Sequence, residues 1–341
     1  FGLVLALILV QPQRLVIHPP HGFADYEEPM TAKERAHAEQ LLGLLGWAPF
    51  DAKGRFGMWQ TKPDPEKEKI LIYGDSVMYA WGVKEEETTA AQLNEMLPEY
   101  QVINMAVSGW SIDQYYLYLR ETIGKLRPQM VIVGIFTGND FQVTARGFGW
   151  GHSKPFFRVE QGKLLHTNPG WQTSRRSVSS EARGASLMSN NCIDTMAQSL
   201  LFKPFWRNKI FAQQVLKTLC GAEDLPLAEA EATVSGLIDA IVDVAEEHNA
   251  RLLFLILPDL NDFPTVGDYH YHKLISFYPY FCNLLREKGY EFLDIANVLG
   301  TPSLEAQRAI YIDPAHPTAE GHKLIAKALY DYLKANELPQ R

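Results

Sequence analysis

Five short apolar runs, each followed by a turn and a stretch of helical periodicity, constrain what this chain can become. They are "KILIYG" (69–74), "QVINMAV" (101–107), "QMVIVGIF" (129–136), "ARLLFLILP" (250–258) and "YEFLDIA" (290–296). Runs this short suit strands, and unbroken apolar character suits burial on both faces. The segments between them are amphipathic. One carries Ala90, Leu93 and Leu97 on one face, and the next carries Tyr116, Leu119, Ile123 and Leu126. A third places Val234, Leu237, Ile238, Ile241, Val242 and Ala245 on one stripe. "YHKLISFYPYFCNLLREKG" reads as helical despite Pro279, and a closing helix carries Leu324, Ile325, Ala328, Leu329, Tyr332 and Leu333. Buried strands alternating with helices predict an α/β fold with a parallel sheet covered on both sides. Right-handed crossovers make it three-layered and doubly wound, with ligands bound beyond the carboxyl ends of the strands.

The regular pattern occupies 69–335 of the 341 residues. Before it, 1–22 pairs the apolar "FGLVLALILV" with a polar, Pro-rich linker. Ten apolar residues fall short of the roughly 20 needed to span a bilayer. The segment reads as the trailing part of a signal or membrane anchor, or else as a first core strand. The linker favours the anchor, and with it an exported or membrane-anchored location. Residues 23–68 form an N-terminal extension with one helical pattern at 31–46. The stretch 141–227 interrupts the alternation, and a connection that long is usually functional or a subdomain. It reads as an insertion over the strand ends, with Trp150, Phe156, Phe157 and Trp171 either lining a pocket or forming a local core.

A net charge of −8 and the lack of a dense Lys/Arg patch argue against nucleic acid or anionic lipid as a nonspecific partner. Cys192, Cys220 and Cys282 have no CxxC spacing and read as three buried, inert thiols, with a Cys192–Cys220 bridge as the weaker option. His270 and His272 lack a third placed ligand, so no metal is expected. His322, in the closing helix, reads as structural. Rossmann and Walker patterns are absent, so no nucleotide cofactor is expected.

Four pieces carry chemistry, in order. "GDSV" supplies Gly74, Asp75 and Ser76; "NMAVSGWS" supplies Asn104 and Gly109; "FTGND" supplies Asn139 and Asp140; "DPAHP" supplies Asp313 and His316. A serine hydroxyl needs a neutral imidazole to take its proton, and that imidazole needs a carboxylate on its other nitrogen. A tetrahedral oxyanion needs preorganised donors. Ser76 fits the nucleophile, His316 the base and Asp313 its orienting acid. The N–H groups of Ser76 and Gly109 and the Asn139 amide fit an oxyanion hole. Pro317 suits the first turn of the closing helix. Each piece alone is ordinary turn or cap composition; their order along one doubly wound pattern is what points to a site.

These blocks resemble the SGNH (GDSL-type) hydrolase family over about 69–140 and 230–335, matching at Ser76, Gly109, Asn139 and His316, with Asp313 three residues before the histidine. The resemblance implies a flavodoxin-like αβα sandwich, a Ser-His-Asp site and action on esters, from acyl lipids to acetylated carbohydrates, thioesters and small aryl esters. "GDSVMYAWGVKEEETTAAQL" further resembles a bacterial subgroup that is often exported or membrane-anchored. Two positions depart from the family pattern. Ala106 stands where the second block usually has glycine, and Gly138 precedes Asn139 where the third usually reads Gly-x-Asn-Asp. The expectation is a metal-free serine hydrolase of small-molecule or carbohydrate esters. An O-acyltransferase, or a non-catalytic subunit of a membrane-associated assembly, is the alternative.

Overall fold

The computed structural model describes residues 63–149, 152–167, 224–263, 277–300 and 303–336. Segment 1–22, the 31–46 helix, Trp150, Trp171, Cys192, Cys220, His270 and His272 lie outside the described residues. Five strands form one parallel sheet: β1 (Glu68–Tyr73), β2 (Tyr100–Asn104), β3 (Met130–Phe136), β4 (Arg251–Leu257) and β5 (Phe292–Asp294). Their order is β2-β1-β3-β4-β5, with Ile70 opposite both Val102 and Met130, and Ile132 opposite Leu253. This is the flavodoxin-like order, whose switch point lies between β1 and β3.

The helices follow as α1 (Ser76–Tyr79), α2 (Thr89–Met96), α3 (Ile112–Leu126), α4 (Asp140–Thr144), α5 (Leu227–Glu247), α6 (Tyr278–Lys288), α7 (Ile295–Leu299), α8 (Leu304–Ile310) and α9 (Ala319–Ala335). Alternate strand residues feed opposite layers. Leu71, Tyr73, Val131, Val133, Phe254 and Ile256 pack with α3, α5 and α6. Ile70, Ile72, Met130, Ile132, Leu253 and Leu255 pack with α1, α2, α7 and α9. Full burial of each such side chain is worth about 1.5–3 kcal/mol, which is why the strands read as unbroken apolar runs.

Pro279 is accommodated in a helix as expected, while two details of the closing helix differ from expectation. Pro279 does not interrupt α6: the helix starts at Tyr278, so the proline sits in the first turn, where its missing N–H costs no intrahelical bond. Leu324 is 37% exposed, because the buried stripe of α9 runs through His322, Ile325, Leu329 and Leu333 and leaves Leu324 off its edge. Pro317 precedes Thr318, the N-cap of α9, so it lies before the helix rather than in its first turn.

The described part of the insertion includes a hairpin, Phe157–Glu160 with Lys163–His166, turned by Gln161 and Gly162, both at positive φ. The hairpin lies on the outer flank of α5. A Cβ added at Gly236 would sit 3.2 Å from Val159 Cγ2, so glycine permits this close approach. Phe156 and Phe157 are buried in the core shared by α3 and α5, and Phe157 meets Tyr116 edge-on at 5.8 Å. Of the two readings, the local core is the one these two aromatics follow: a hairpin must bury one face, and the α3–α5 layer provides the apolar partner.

The sheet also has a socket. Met78 of α1 lies over Gly74, the residue just past β1, and Gly134 of β3. A Cβ at Gly74 would meet Met78 Cβ and Cγ at 2.8 Å, and one at Gly134 would meet Met78 Cγ at 2.4 Å. The crowded atoms include Met78 Cβ and Cγ rather than only the far end of the side chain, so clearing them requires the whole side chain to leave its seat. Gly134→Ala is expected to destabilise the fold by about 1–3 kcal/mol, the cost of overpacking. Urea denaturation measures this, and the penalty should shrink when Met78→Ala is introduced with it.

Candidate active site

The strand stops at Gly-Asp-Ser because the chain must turn at once into a helix that lies on the sheet edge. Gly74 admits Met78. Asp75 is the N-cap of α1, its Oδ1 accepting the Val77 N–H at 2.9 Å. Ser76 is therefore the first residue of a tight, capped turn and remains partly exposed. Ala80 closes α1 in the left-handed region at φ 68°, and the Trp81 N–H returns to the Ser76 carbonyl at 3.0 Å.

A second loop, 311–317, reaches the same edge. Ile312 N–H donates to the His316 carbonyl at 2.7 Å, and Thr318 N–H to the Ile310 carbonyl at 2.9 Å, closing the loop at its base. Gly321 lets that base rest on α9: a Cβ there would meet the Ile310 carbonyl oxygen at 2.3 Å. Leu260 N–H donates to the Pro314 carbonyl at 2.8 Å, tying the loop to the region after β4.

These two loops bring three predicted residues into one hydrogen-bonded chain. Ser76 Oγ lies 2.9 Å from His316 Nε2, and His316 Nδ1 lies 2.8 Å from Asp313 Oδ2. Asp313 Oδ1 also accepts the backbone N–H groups of Ala315 and His316, at 2.8 and 2.9 Å, which fixes the carboxylate in its own turn. Burial pushes the Asp313 carboxyl up, but the His316 ring and those N–H groups outweigh it and hold the carboxyl below its ordinary value. The Trp81 ring lies against the imidazole, centroids 4.8 Å apart.

The other two blocks reach the Gly74–Asp75 part of the same turn. Past β2, Val107 N–H donates to the Gly74 carbonyl at 2.9 Å, carrying the chain along β1 to Gly109, at φ 82°. Asn104 holds this passage, its amide donating to the Met78 carbonyl and accepting the Ala106 N–H, each at 3.0 Å. Ala106 itself is buried, so the absent glycine is a filled position. Past β3, Asn139 Nδ2 donates to Asp75 Oδ2 at 3.3 Å. Gly138 stands at a close approach, since a Cβ there would meet Phe136 Cζ at 2.6 Å and Asp259 Oδ2 at 3.0 Å. Asp140 is buried and accepts from Phe136 N–H at 2.9 Å and the Tyr115 hydroxyl at 3.0 Å. Burial, then the neighbouring Asp75, pushes its carboxyl well above the usual range.

One buried pair escapes sequence reasoning. Asp113, in the first turn of α3, is bonded to Lys154 of the insertion, and both side chains are sequestered from solvent. Lys154 also donates to the Arg146 and Pro155 carbonyls, each at 3.1 Å. Ser111 donates to Asp113 at 2.8 Å, so the pair pins the insertion to the segment just after Gly109. Nothing in "GHSKPFFR" around Lys154 or "SIDQYY" around Asp113 marks either as buried. His322 is buried as expected, its Nδ1 2.9 Å from the Thr89 hydroxyl. Cys282 is a buried thiol, pushed up to about 11 chiefly by burial. Among the described residues, no three His, Cys, Asp or Glu side chains gather as a metal site, and no helix is long and apolar enough to cross a membrane.

A scan against protein-family models and a search of curated proteins matched nothing. Among solved structures, the chain is similar to the acetyl xylan esterase AlAXEase, with 11% identity over 78% of this chain and 99% of that one and a TM-score of 0.44. It is similar to a GDSL-like lipase from Bacteroides thetaiotaomicron, with 12% identity over 81% and 92% and a TM-score of 0.41. It is also similar to the psychrotrophic esterase EstA from Pseudoalteromonas sp., with 14% identity over 79% and 98% and a TM-score of 0.39. Likenesses this distant leave the chemistry to be read from the site itself.

Removing Lys154 strands a buried carboxylate. Lys154→Met should cost about 3–5 kcal/mol in chemical denaturation, and pairing it with Asp113→Asn should restore part of that loss.

Burial, with the nearby charge of His316 adding to it, lowers the His322 imidazole from 6.5 to about 4. Below pH 6.5 the unfolded chain takes up a proton that the native state refuses, so stability should fall as pH drops toward about 4. The loss is on the order of 3 kcal/mol. His322→Gln should flatten that part of the stability–pH curve, measured by denaturation at a series of pH values.

Proposed function

We propose that this protein is a serine ester hydrolase acting through a covalent acyl-enzyme, with Ser76 as nucleophile, His316 as base and Asp313 as the orienting acid. The observation that carries this reading is the continuous Ser76–His316–Asp313 hydrogen-bond chain at 2.9 and 2.8 Å. In the first step Ser76 Oγ attacks the ester carbonyl carbon as its proton passes to His316 Nε2. Asp313, bonded to Nδ1, holds the imidazole in the right tautomer and stabilises the imidazolium that forms.

The carbonyl oxygen becomes an oxyanion. The N–H groups of Ser76 and Gly109 and the amide of Asn139 are the donors assigned to it. Collapse breaks the bond to the leaving alkoxide, which takes the proton from His316. Water then attacks the acyl-enzyme, giving its proton to His316, and Ser76 is released with the acid product. Every proton is returned, and no metal or cofactor enters the scheme.

The substrate class we favour is an acyl or acetyl ester of a carbohydrate, or a small carboxylic ester. The support is the resemblance of the four blocks to SGNH hydrolases. Transfer of the acyl group to a sugar hydroxyl would use the same first half-reaction; product analysis with water and a sugar in competition separates the two. The apolar run at 1–10 followed by a polar, Pro-rich linker supports an exported or membrane-anchored location, which cell fractionation tests.

A fluorophosphonate probe should label the wild type at Ser76, and Ser76→Ala should lose both labelling and ester turnover. Asn139→Ala should lower kcat by about 10²–10³-fold, the usual cost of one oxyanion donor. KM should change much less, because that interaction strengthens only in the transition state. Full turnover by folded Ser76→Ala would overturn the mechanism.

A further inference from the structure

Building on the serine-hydrolase reading, we propose that Asp75 is a positioning residue that sets which end of the Asn139 amide faces the oxyanion. An amide side chain has two ends of nearly equal size, one donating and one accepting. Turned the wrong way, Asn139 would aim a carbonyl oxygen at developing negative charge. Something must fix the choice.

The surroundings of Asn139 leave that task to one group. Its Oδ1 is buried without a hydrogen-bond partner among the described residues. Its Nδ2 donates to Asp75 Oδ2 at 3.3 Å. An ionised carboxylate has only acceptors, so it pairs with the NH2 end and repels the carbonyl end. One amide hydrogen then bonds Asp75, and the second remains for the oxyanion.

Asp75 is itself held. It is fully buried, and its Oδ1 is committed to the Val77 N–H at 2.9 Å. The carboxylate plane is fixed by the same cap that forms the nucleophile turn. Burial is the largest effect and holds the Asp75 carboxyl above its ordinary value, the Val77 N–H, the charge of His316 and the Asn139 amide offsetting it in part. Both carboxyl oxygens accept hydrogen bonds, Oδ1 from Val77 and Oδ2 from Asn139. One side chain thus shapes the nucleophile turn with one oxygen and orients an oxyanion donor with the other.

A double-mutant cycle tests this. Asp75→Asn keeps the shape and an acceptor for Val77, but turns a second NH2 toward Asn139, where two donors oppose each other. We expect kcat to fall about as far as in Asn139→Ala, by about 10²–10³-fold, with KM nearly unchanged. In the Asn139→Ala background, Asp75→Asn should cost no more than a few-fold further. Should Asp75→Asn fail to fold, Asp75→Ser keeps a capping oxygen and removes only the second one. The same loss and the same lack of additivity are expected. Unchanged kcat in the folded variant, or losses that multiply in the double variant, would overturn the role of Asp75. With Ser76→Ala inactive, that result leaves the hydrolase reading standing; an active Ser76→Ala removes both.

Discussion

Met78 has to lie flat on the sheet for Ser76 to stand at its edge. The chain gives up side chains at Gly74, just past β1, and at Gly134 of β3 to make this happen, and the methionine fills the space they leave. With Met78 seated, α1 can begin after only two intervening residues, Gly74 and Asp75, and Asp75 can cap it. The turn is then determined from below by packing and from above by a hydrogen bond. Neither device works alone: a cap without the socket would leave α1 lifted from the sheet, and a socket without the cap would leave the first N–H groups buried and unpaired.

The second half of the site is built by different means. His316 rides on a loop closed at its base by backbone hydrogen bonds, rested on Gly321 and tied to the chain beyond β4 through Pro314. Around both halves the protein seals the carboxyl groups of Asp75, Asp113 and Asp140 completely from solvent. Each is compensated differently. Asp113 has a lysine, Asp75 has an N–H group and an amide, and Asp140 has a backbone N–H and a tyrosine hydroxyl. Buried charges that lack partners are costly, so these contacts tie the loops that meet at the sheet edge to fixed positions.

Much of this was legible in the sequence. Unbroken apolar runs identify strands covered on both sides, and their alternation with helices leaves few topologies. Ser76, His316, Asp313 and Asn139 stood out together rather than singly, because their blocks fall in order at strand ends and before the closing helix of one α/β pattern. What escaped depends on partners distant in the chain. A glycine in β3 means little until Met78 is known to lie across it. Asp113 and Lys154 are 41 residues apart, and nothing local to either announces the other. Phe156 and Phe157 show the converse problem: aromatic composition reports that a segment will be buried, but not whether in a cleft or on the flank of a helix.

The serine and the histidine that meet at 2.9 Å are 240 residues apart in the chain. During synthesis the strand and turn bearing the hydroxyl are made long before the imidazole. A serine hydroxyl without its base is nearly inert toward esters. Until the 311–317 loop is in place, Ser76 has no base beside it, and the acyl transfer proposed for it cannot begin. The long sequence separation thus ties the proposed reactivity to completion of the chain, since the loop that carries His316 follows the last strand of the sheet and precedes α9.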